Sequence, residues 1–293
     1  MKYMAALFRL KRRTHRDERG LTMMELLTAT ALSSLLVVLM FRIFGDQSKS
    51  FLENRQAAEL QQEMRWAINY LSDRIKLAGN GVPPTSFFTV VENFDGGTDY
   101  TDSLAILGCY KNLIVTTDQP MGNEGSQVKV DNTVGMSEGD LAIISDGTFT
   151  EVFMITGINS MHLWHDTFLP WNDDKKLDHR YLEGSSLTIA THYSFFVGDD
   201  EDGRMSLLVQ TQNYPAQPLI SDVDDFQIRF KMKDDSWQDE VTKEEIYDIR
   251  MVEILLRART PREIPGYEDP TYGDGFKRLE MKTIVVPKNI TIN

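Results

Sequence analysis

A serine in the pattern G-x-S-x-G is the first candidate for covalent chemistry. Residues 135–139 are Gly-Met-Ser-Glu-Gly. In hydrolases this pattern places the serine on a strained turn between a strand and a helix, where its hydroxyl is exposed as a nucleophile. Here the pattern is followed by Asp140-Leu-Ala-Ile-Ile-Ser145, which predicts a strand and not a helix. We therefore expect Ser137 to lie in a β-turn, and we predict no catalytic residue and no enzymatic activity.

Histidines are the next candidates, because two imidazoles at short spacing can bind a transition metal. His162 and His165 lie three residues apart, Asp166 is adjacent, and His179 and His192 follow. No helix signal surrounds the pair, and in an extended segment side chains three apart point to opposite faces. We expect exposed histidines or histidines satisfied in the core, and no metal site.

Acidic runs offer the oxygen ligands that calcium prefers. They lie at residues 199–202, 222–225 and 234–235. An EF-hand loop with Gly203 at its sixth position would place Gly198 at the first position, which needs a carboxylate. The spacing therefore does not match, and we expect solvated loop acids and no bound cofactor.

Charge is distributed very unevenly along the 293 residues. Residues 1–20 carry seven basic and two acidic side chains, a charge of +5, so that the total of −13 leaves −18 for residues 21–293. An acidic bulk disfavours binding to phosphate backbones, and no nucleic-acid contact is expected. The single cysteine, Cys109, lies in an apolar run, so no disulfide can form within the chain and a buried thiol is expected.

An apolar segment follows the basic end directly. Residues 21–44 contain only two charged residues, Glu25 and Arg42, and a bilayer core needs about 20 such residues as a helix. Basic residues before the segment and acidic sequence after it predict a cytoplasmic N-terminus and an exported C-terminal part. We expect a single-pass protein of the bacterial inner membrane with a periplasmic head.

Glu25 is the informative residue of this segment, because a carboxylate in a membrane span costs about 2.5 to 3.5 kcal/mol and usually has a partner. Cleavage between Gly20 and Leu21 would create an α-ammonium four residues upstream and make Glu25 the fifth residue of the mature chain. Two alternatives remain. An ordinary signal peptide would be cut near Ala31, and an uncleaved signal anchor would keep a protonated Glu25.

The residues Arg19-Gly-Leu-Thr-Met-Met-Glu-Leu-Leu27 resemble the prepilin motif of type IV pilins and type II secretion pseudopilins. The resemblance implies that prepilin peptidase removes the leader after Gly20 and that Leu21 is then N-methylated. Leu21 departs from the phenylalanine that is commonest at this position. Glu25 matches the glutamate that meets the α-ammonium of a neighbouring subunit during assembly.

The fold that we predict is α+β and pilin-like, with a long N-terminal helix packed on a mostly antiparallel β-sheet head. Residues 1–20 are the leader, 21–44 the transmembrane and assembly helix, 45–78 an amphipathic helix embedded in the head, and 79–293 the head. The amphipathic part has an apolar stripe at spacings of three and four, formed by Ala57, Leu60, Met64, Ala67, Leu71, Ile75 and Ala78. Short apolar runs predict strands within 103–110, 140–145, 151–158, 206–210, 226–232, 249–258 and 279–287, with 249–258 as a central strand.

Residues 56–79 and 218–230 further resemble PilW-type minor pilins. This implies a minor subunit at the tip or initiation complex of a type IV pilus, with other major and minor pilins, prepilin peptidase and the inner membrane as partners. After assembly the protein would lie in the pilus at the cell surface. A J-like minor pseudopilin of type II secretion is the alternative within this class. A signal-anchored periplasmic enzyme or binding module is the alternative from another class.

Overall fold

The computed structural model describes residues 22–82, 91–94, 101–111, 113–168, 171–172, 174–242 and 244–290. The predicted leader, 1–20, and the predicted cleavage and methylation residues Gly20 and Leu21 lie outside these ranges. The described residues up to Leu52 form one compact unit, and those from Glu53 onwards form a second.

Helix α1 spans Met23–Lys76, 54 residues. Just beyond the helix end, the Leu77 N–H donates to Arg74 O and the Ala78 N–H donates to Ile75 O. These 3-10-type hydrogen bonds satisfy carbonyls that have no partner further along the helix. Within the second unit one face of α1 is buried. Its buried residues are Leu60, Met64, Ala67, Ile68, Leu71, Ser72 and Ile75.

In the described residues, fifteen strands follow the helix. They are β1 Val91–Phe94, β2 Ser103–Gly108, β3 Ile114–Thr116, β4 Val128–Lys129, β5 Leu141–Ser145, β6 Thr150–Met154, β7 Gly157–Asn159, β8 His162–Trp164, β9 Ser186–Asp199, β10 Met205–Thr211, β11 Tyr214–Ser221, β12 Val223–Met232, β13 Trp237–Gln238, β14 Ile249–Arg259 and β15 Arg278–Val285. A short 3-10 turn, Ile246–Asp248, precedes β14.

The strands form three sheets, and every pairing between them is antiparallel. The largest has eight strands with the order β1-β2-β9-β10-β11, to which β3, β5 and β6 are added. A four-stranded sheet has the order β13-β12-β14-β15, and a three-stranded sheet has the order β4-β8-β7. Strand β9 connects two parts of the large sheet, because residues 186–190 pair with β3 and β5 whereas residues 191–199 pair with β2 and β10.

The main hydrophobic core contains the buried face of α1 and inward-facing residues of the large and four-stranded sheets. Phe195 comes from β9, Phe226 and Phe230 come from β12, and Ile254 comes from β14; each is 1% exposed or less. Burial of these side chains supplies the main stabilisation of the head, at about 1.5 to 3 kcal/mol for each large apolar side chain. A separate core lies among β3 to β8 and the start of β9, around Phe153 and Tyr181.

The predicted α+β class, with a long N-terminal helix and antiparallel sheets, is confirmed by these elements. The apolar stripe also matches the buried face of α1, apart from the half-buried Ala57 and from Ala78, which is buried just beyond the helix end. Each predicted apolar run contains a strand, and the run 249–258 is the central β14, which pairs with both β12 and β15. The run 151–158 was predicted as one strand, but it divides into parts of β6 and β7, with Ile155 and Thr156 between them.

Candidate functional site

The first turn of α1 is closed by a capping box formed by Thr22 and Glu25. The Thr22 backbone N–H and hydroxyl each donate to Glu25 Oε2 at 2.9 Å, and the Glu25 N–H donates to Thr22 Oγ1 at 3.3 Å. A helix leaves its first N–H groups without partners, and a Thr-x-x-Glu sequence satisfies two of them reciprocally. Within the described residues, Glu25 Oε1 accepts no hydrogen bond, so one carboxylate oxygen remains open to an external donor.

Every residue from Thr22 to Leu52 is exposed. The large apolar side chains on this part of α1 include Leu26, Leu27, Leu32, Leu35, Leu36, Val37, Val38, Leu39, Met40, Phe41, Ile43 and Phe44. By length and composition α1 is able to cross a membrane. So large an apolar surface is not left in water, since soluble monomers rarely expose continuous patches above a few hundred Å².

Three hydroxyl groups of this segment are satisfied inside the helix. Thr28 Oγ1 donates to Met24 O at 2.9 Å, Thr30 Oγ1 donates to Leu26 O at 3.0 Å, and Ser34 Oγ donates to Ala31 O at 2.8 Å. Internal bonds of this kind remove the cost of leaving a hydroxyl unpaired in hydrocarbon. The three residues are therefore compatible with an apolar environment despite their polarity.

Ser137 lies in a turn, as the sequence predicts. The Asp140 N–H donates to Ser137 O at 3.1 Å, and the Ser137 N–H donates to Asp140 Oδ2 at 2.9 Å. A strand, β5, and not a helix follows the turn. The arrangement lacks the strand-to-helix geometry that exposes a hydrolase nucleophile.

The predicted histidines have separate surroundings. His165 is buried, and its Nε2 lies 2.8 Å from Ser126 O. The His179 Nε2 lies 2.9 Å from Asp146 Oδ2. His192 packs edge-on against the Trp171 ring, and burial lowers the pKa of its imidazole. Among the described residues, no group of three or more His, Cys, Asp or Glu side chains is arranged to hold a metal ion.

The expectation that the acidic runs are solvated is wrong for Asp200 and for the three aspartates of the run 222–225, whose side chains are 14 to 23% exposed. The Asp200 side chain is only 4% exposed; it accepts hydrogen bonds from the Arg204 N–H and the Ser206 hydroxyl, and these lower its pKa to about 2. Asp224 Oδ2 lies 2.7 Å from the Arg278 guanidinium. Arginine and hydroxyl partners therefore compensate these carboxylates inside the head.

Cys109 is buried one residue beyond β2, as expected. Burial raises the pKa of its thiol. A raised pKa keeps the sulfur protonated and unreactive at neutral pH.

The sequence analysis missed an aromatic row on α1. Trp66 is 55% exposed and stacks on Tyr70 with ring centroids 5.6 Å apart. One turn further on, the Arg74 guanidinium lies over the rings of Tyr70 and Tyr193, at 4.6 and 5.1 Å from their centroids. The spacing 66, 70, 74 is the signal that was available, because residues four apart share a helix face.

A cleft lies beside this row, within the second unit. It encloses about 650 Å³ and has Tyr70, Tyr193 and Tyr214 in its walls. Residues Ser137, Glu138 and Asp140 from the predicted turn also line it. The turn around Ser137, which the G-x-S-x-G pattern drew attention to, therefore lies at a cavity. No histidine is among the described residues that line this cavity.

Comparisons with family models, curated proteins and solved structures gave matches only among the solved structures. No family model matches the sequence, and no curated protein matches it. Among solved structures, the chain is similar to a type IV-like pilin from Thermus thermophilus at 10% sequence identity and a TM-score of 0.39. The alignment covers 79% of this chain and 98% of the Thermus protein.

Proposed function

We propose that this protein is a minor type IV pilin-like subunit, which is inserted in the inner membrane, cut by prepilin peptidase and incorporated at the tip or initiation complex of a pilus. The proposal is for an assembly protein and not for an enzyme. The observation that carries it is the fully exposed apolar part of α1, residues 23–44, with a single capped carboxylate at its start.

The apolar part of α1 needs a partner environment that the described head does not supply. Lipid can cover it before assembly, and the equivalent helices of sister pilins can cover it afterwards, since both present apolar surface. The basic residues 1–20 favour insertion with the N-terminus in the cytoplasm, which places the head in the periplasm. After assembly the head would be carried on the pilus at the cell surface.

Cleavage after Gly20 would place the new α-ammonium on Leu21, next to the capping box. Glu25 already uses Oε2 to bind Thr22, and its Oε1 is available in the described structure. In an apolar bundle an ammonium and a carboxylate attract far more strongly than in water. We therefore assign Oε1 of Glu25 to the α-ammonium of a neighbouring subunit, and Leu21 to N-methylation.

The size of the head favours a minor subunit. The second unit begins at Glu53 and continues to the end of the chain, and its described residues form fifteen strands in three sheets. A head of this size is bulky for a subunit that repeats along a shaft, whereas a tip position imposes no such packing limit.

Cleavage is tested by intact-mass and N-terminal peptide mass spectrometry on the membrane-extracted protein, with and without a co-expressed prepilin peptidase. We expect a mature chain that starts at Leu21, with an added methyl group, only when the peptidase is present. An uncut chain in the presence of an active peptidase, or a chain cut at Ala31, would refute the proposal.

The role of Glu25 is tested by comparing Glu25→Ala with Thr22→Ala for cleavage and for incorporation into sheared fibres. Both substitutions open the capping box at a cost of about 1 kcal/mol, but only Glu25→Ala removes the carboxylate. We expect normal cleavage in both variants and loss of incorporation only in Glu25→Ala. Equal incorporation of the two variants would show that Glu25 serves only as a helix cap.

A further inference from the structure

The cleft beside Tyr70 has a composition that indicates its ligand. Its aromatic walls come from α1, β9 and β11, through Tyr70, Tyr193 and Tyr214. Its polar lining is mainly neutral, with hydroxyl and amide groups from Thr191, Thr211, Gln212, Asn213 and Gln217. Pockets that recognise small molecules combine apolar walls with a few placed polar groups in this way.

Charge in the cleft is low and largely compensated. The Asp140 carboxylate is buried, and it accepts hydrogen bonds from the Ser137 N–H and from Asn213 Nδ2 at 2.9 and 3.0 Å. The Lys111 ammonium lies 3.4 Å from Asp140 Oδ2, the same oxygen that accepts the Ser137 N–H. With Glu138 as the remaining charged lining residue, the cleft offers no excess of cations for a phosphate or carboxylate ligand.

The polar rim is held in place before any ligand binds. Gln212 and Asn213 form the turn between β10 and β11. Hydrogen bonds to residues outside this turn hold both side chains. The Gln212 carbonyl oxygen accepts the His192 N–H at 3.0 Å, while Asn213 Nδ2 donates to Asp140. Asn213 Oδ1 also lies so near Gly139 that a Cβ at this glycine would be 2.7 Å from it. A rim fixed in this way loses little conformational entropy on binding.

Two exposed residues of β11 line the cleft. Tyr214 is 67% exposed, and the hairpin register pairs it with Thr211, which also lines the cleft. Gln217 is also exposed, so its side-chain amide is accessible to a ligand as both a donor and an acceptor.

From these features we propose that the cleft binds a neutral oligosaccharide. A pyranose ring has C–H faces that stack on aromatic rings and hydroxyls at its edge that both donate and accept hydrogen bonds. Tyr214 supplies the exposed stacking surface, and the lining amides of Gln212, Asn213 and Gln217 supply donors and acceptors for the sugar hydroxyls.

Binding is tested by saturation-transfer NMR and calorimetry on the full chain. The protein is kept in lauryldimethylamine oxide micelles, because detergents with sugar headgroups would compete for the site. Cellotetraose and chitotetraose are the probes, titrated to about 10 mM because few-contact ligands bind with millimolar Kd. We expect saturable binding of at least one probe.

Three variants locate the site. Tyr214→Ala should weaken binding about tenfold through the lost stacking surface. Gln217→Leu removes an exposed lining amide at nearly constant side-chain size, so it should weaken binding while changing the stability of the fold by less than about 0.5 kcal/mol. Phe94→Ala is the matched control, since Phe94 is also an exposed aromatic residue of an edge strand, at 61% exposure, but does not line the cleft.

Binding that is weakened in Tyr214→Ala or Gln217→Leu and retained in Phe94→Ala supports the proposal. The proposal is overturned if neither tetrasaccharide binds saturably, or if binding is unchanged in both cleft variants. It is also overturned if Tyr214→Ala alters association with sister subunits while no sugar binds, which would make the cleft a protein interface. These readouts do not depend on cleavage after Gly20, so they stand apart from the test of the pilin proposal.

Discussion

Truncation of Leu71 in α1 measures how strongly the helix is embedded in the head. Leu71 is completely buried and belongs to the main core. The change Leu71→Ala removes about three methylene-sized groups from the core, each contributing about 0.8 kcal/mol. The cavity left behind adds about 1 kcal/mol or more, so we expect a loss of about 3 to 4 kcal/mol in the free energy of unfolding.

The matched control is Leu52→Ala, the same chemical change at a position of α1 that is 50% exposed. Leucine and alanine have similar helix propensities, and a change at an exposed site usually alters stability by less than about 0.5 kcal/mol. The assay is urea unfolding of the full chain in micelles, followed by tryptophan fluorescence, with the midpoint shift read at constant slope. A difference between the two variants below about 1 kcal/mol would refute the packing of α1 against the sheets.

Two further substitutions test the head. A Cβ at Gly108 would lie 2.7 Å from the backbone Leu77 O, so Gly108→Ala should lower the thermal midpoint and cost about 1 to 3 kcal/mol. The control is Gly45→Ala, which should not destabilise the protein because the added Cβ meets no atom within 4 Å. Equal midpoints for the two variants would contradict the close approach at Gly108. Hydrogen bonds, chiefly from the Arg204 N–H, lower the pKa of Asp200 to about 2 in the folded state. The ionised carboxylate therefore stabilises the fold above its unfolded pKa of about 4. This contribution is lost as the pH falls from about 4 to 2. Asp200→Asn should therefore be less stable than the parent at neutral pH, with a difference that shrinks towards pH 2; a difference that stays constant with pH would contradict the depressed pKa.

Local periodicity was sufficient to predict the helix and the strands with one buried face. The stripe that includes Leu60, Met64 and Leu71 recurs every three or four residues because one side of α1 is covered and the other is not. The run 249–258 was predicted as a central strand because it is long and apolar, and β14 does pair with a strand on each side. In these elements burial determines the residue pattern, so the pattern predicts the burial.

Strands β9 and β11 were missed for reasons that are also physical. Strand β9 has apolar or aromatic residues at most alternate positions from Leu187 to Val197, but its length of 14 residues comes from pairing with two different sets of neighbours, which the local sequence does not show. Strand β11 contains Pro215 and Pro218, which argue against a central strand. Strand β11 is an edge strand, where proline is tolerated because the side that lacks an N–H group can face solvent and not another strand.

The cleft was beyond prediction from sequence because the fold brings its parts together across long separations. Asn213 and Asp140 are 73 residues apart, yet their side chains share a hydrogen bond. The G-x-S-x-G pattern around Ser137 indicates hydrolase chemistry, but the pattern does not predict which side chains the fold places next to it. In the structure it faces amide and tyrosine side chains, and these determine what the site can bind.

Helix α1 connects the stability of the head to the shape of the cleft. Tyr70 lines the cleft, and Leu71, the next residue, belongs to the main core. Adjacent positions on a helix point about 100° apart, so one turn of α1 contributes to both places at once. The Arg74 guanidinium strengthens this link, because it lies over the rings of Tyr70 on the helix and Tyr193 on β9. The aromatic wall is therefore fixed by the same packing that holds the helix on the sheet, which accounts for a preformed cleft whose rim turn is separately tied to Asp140.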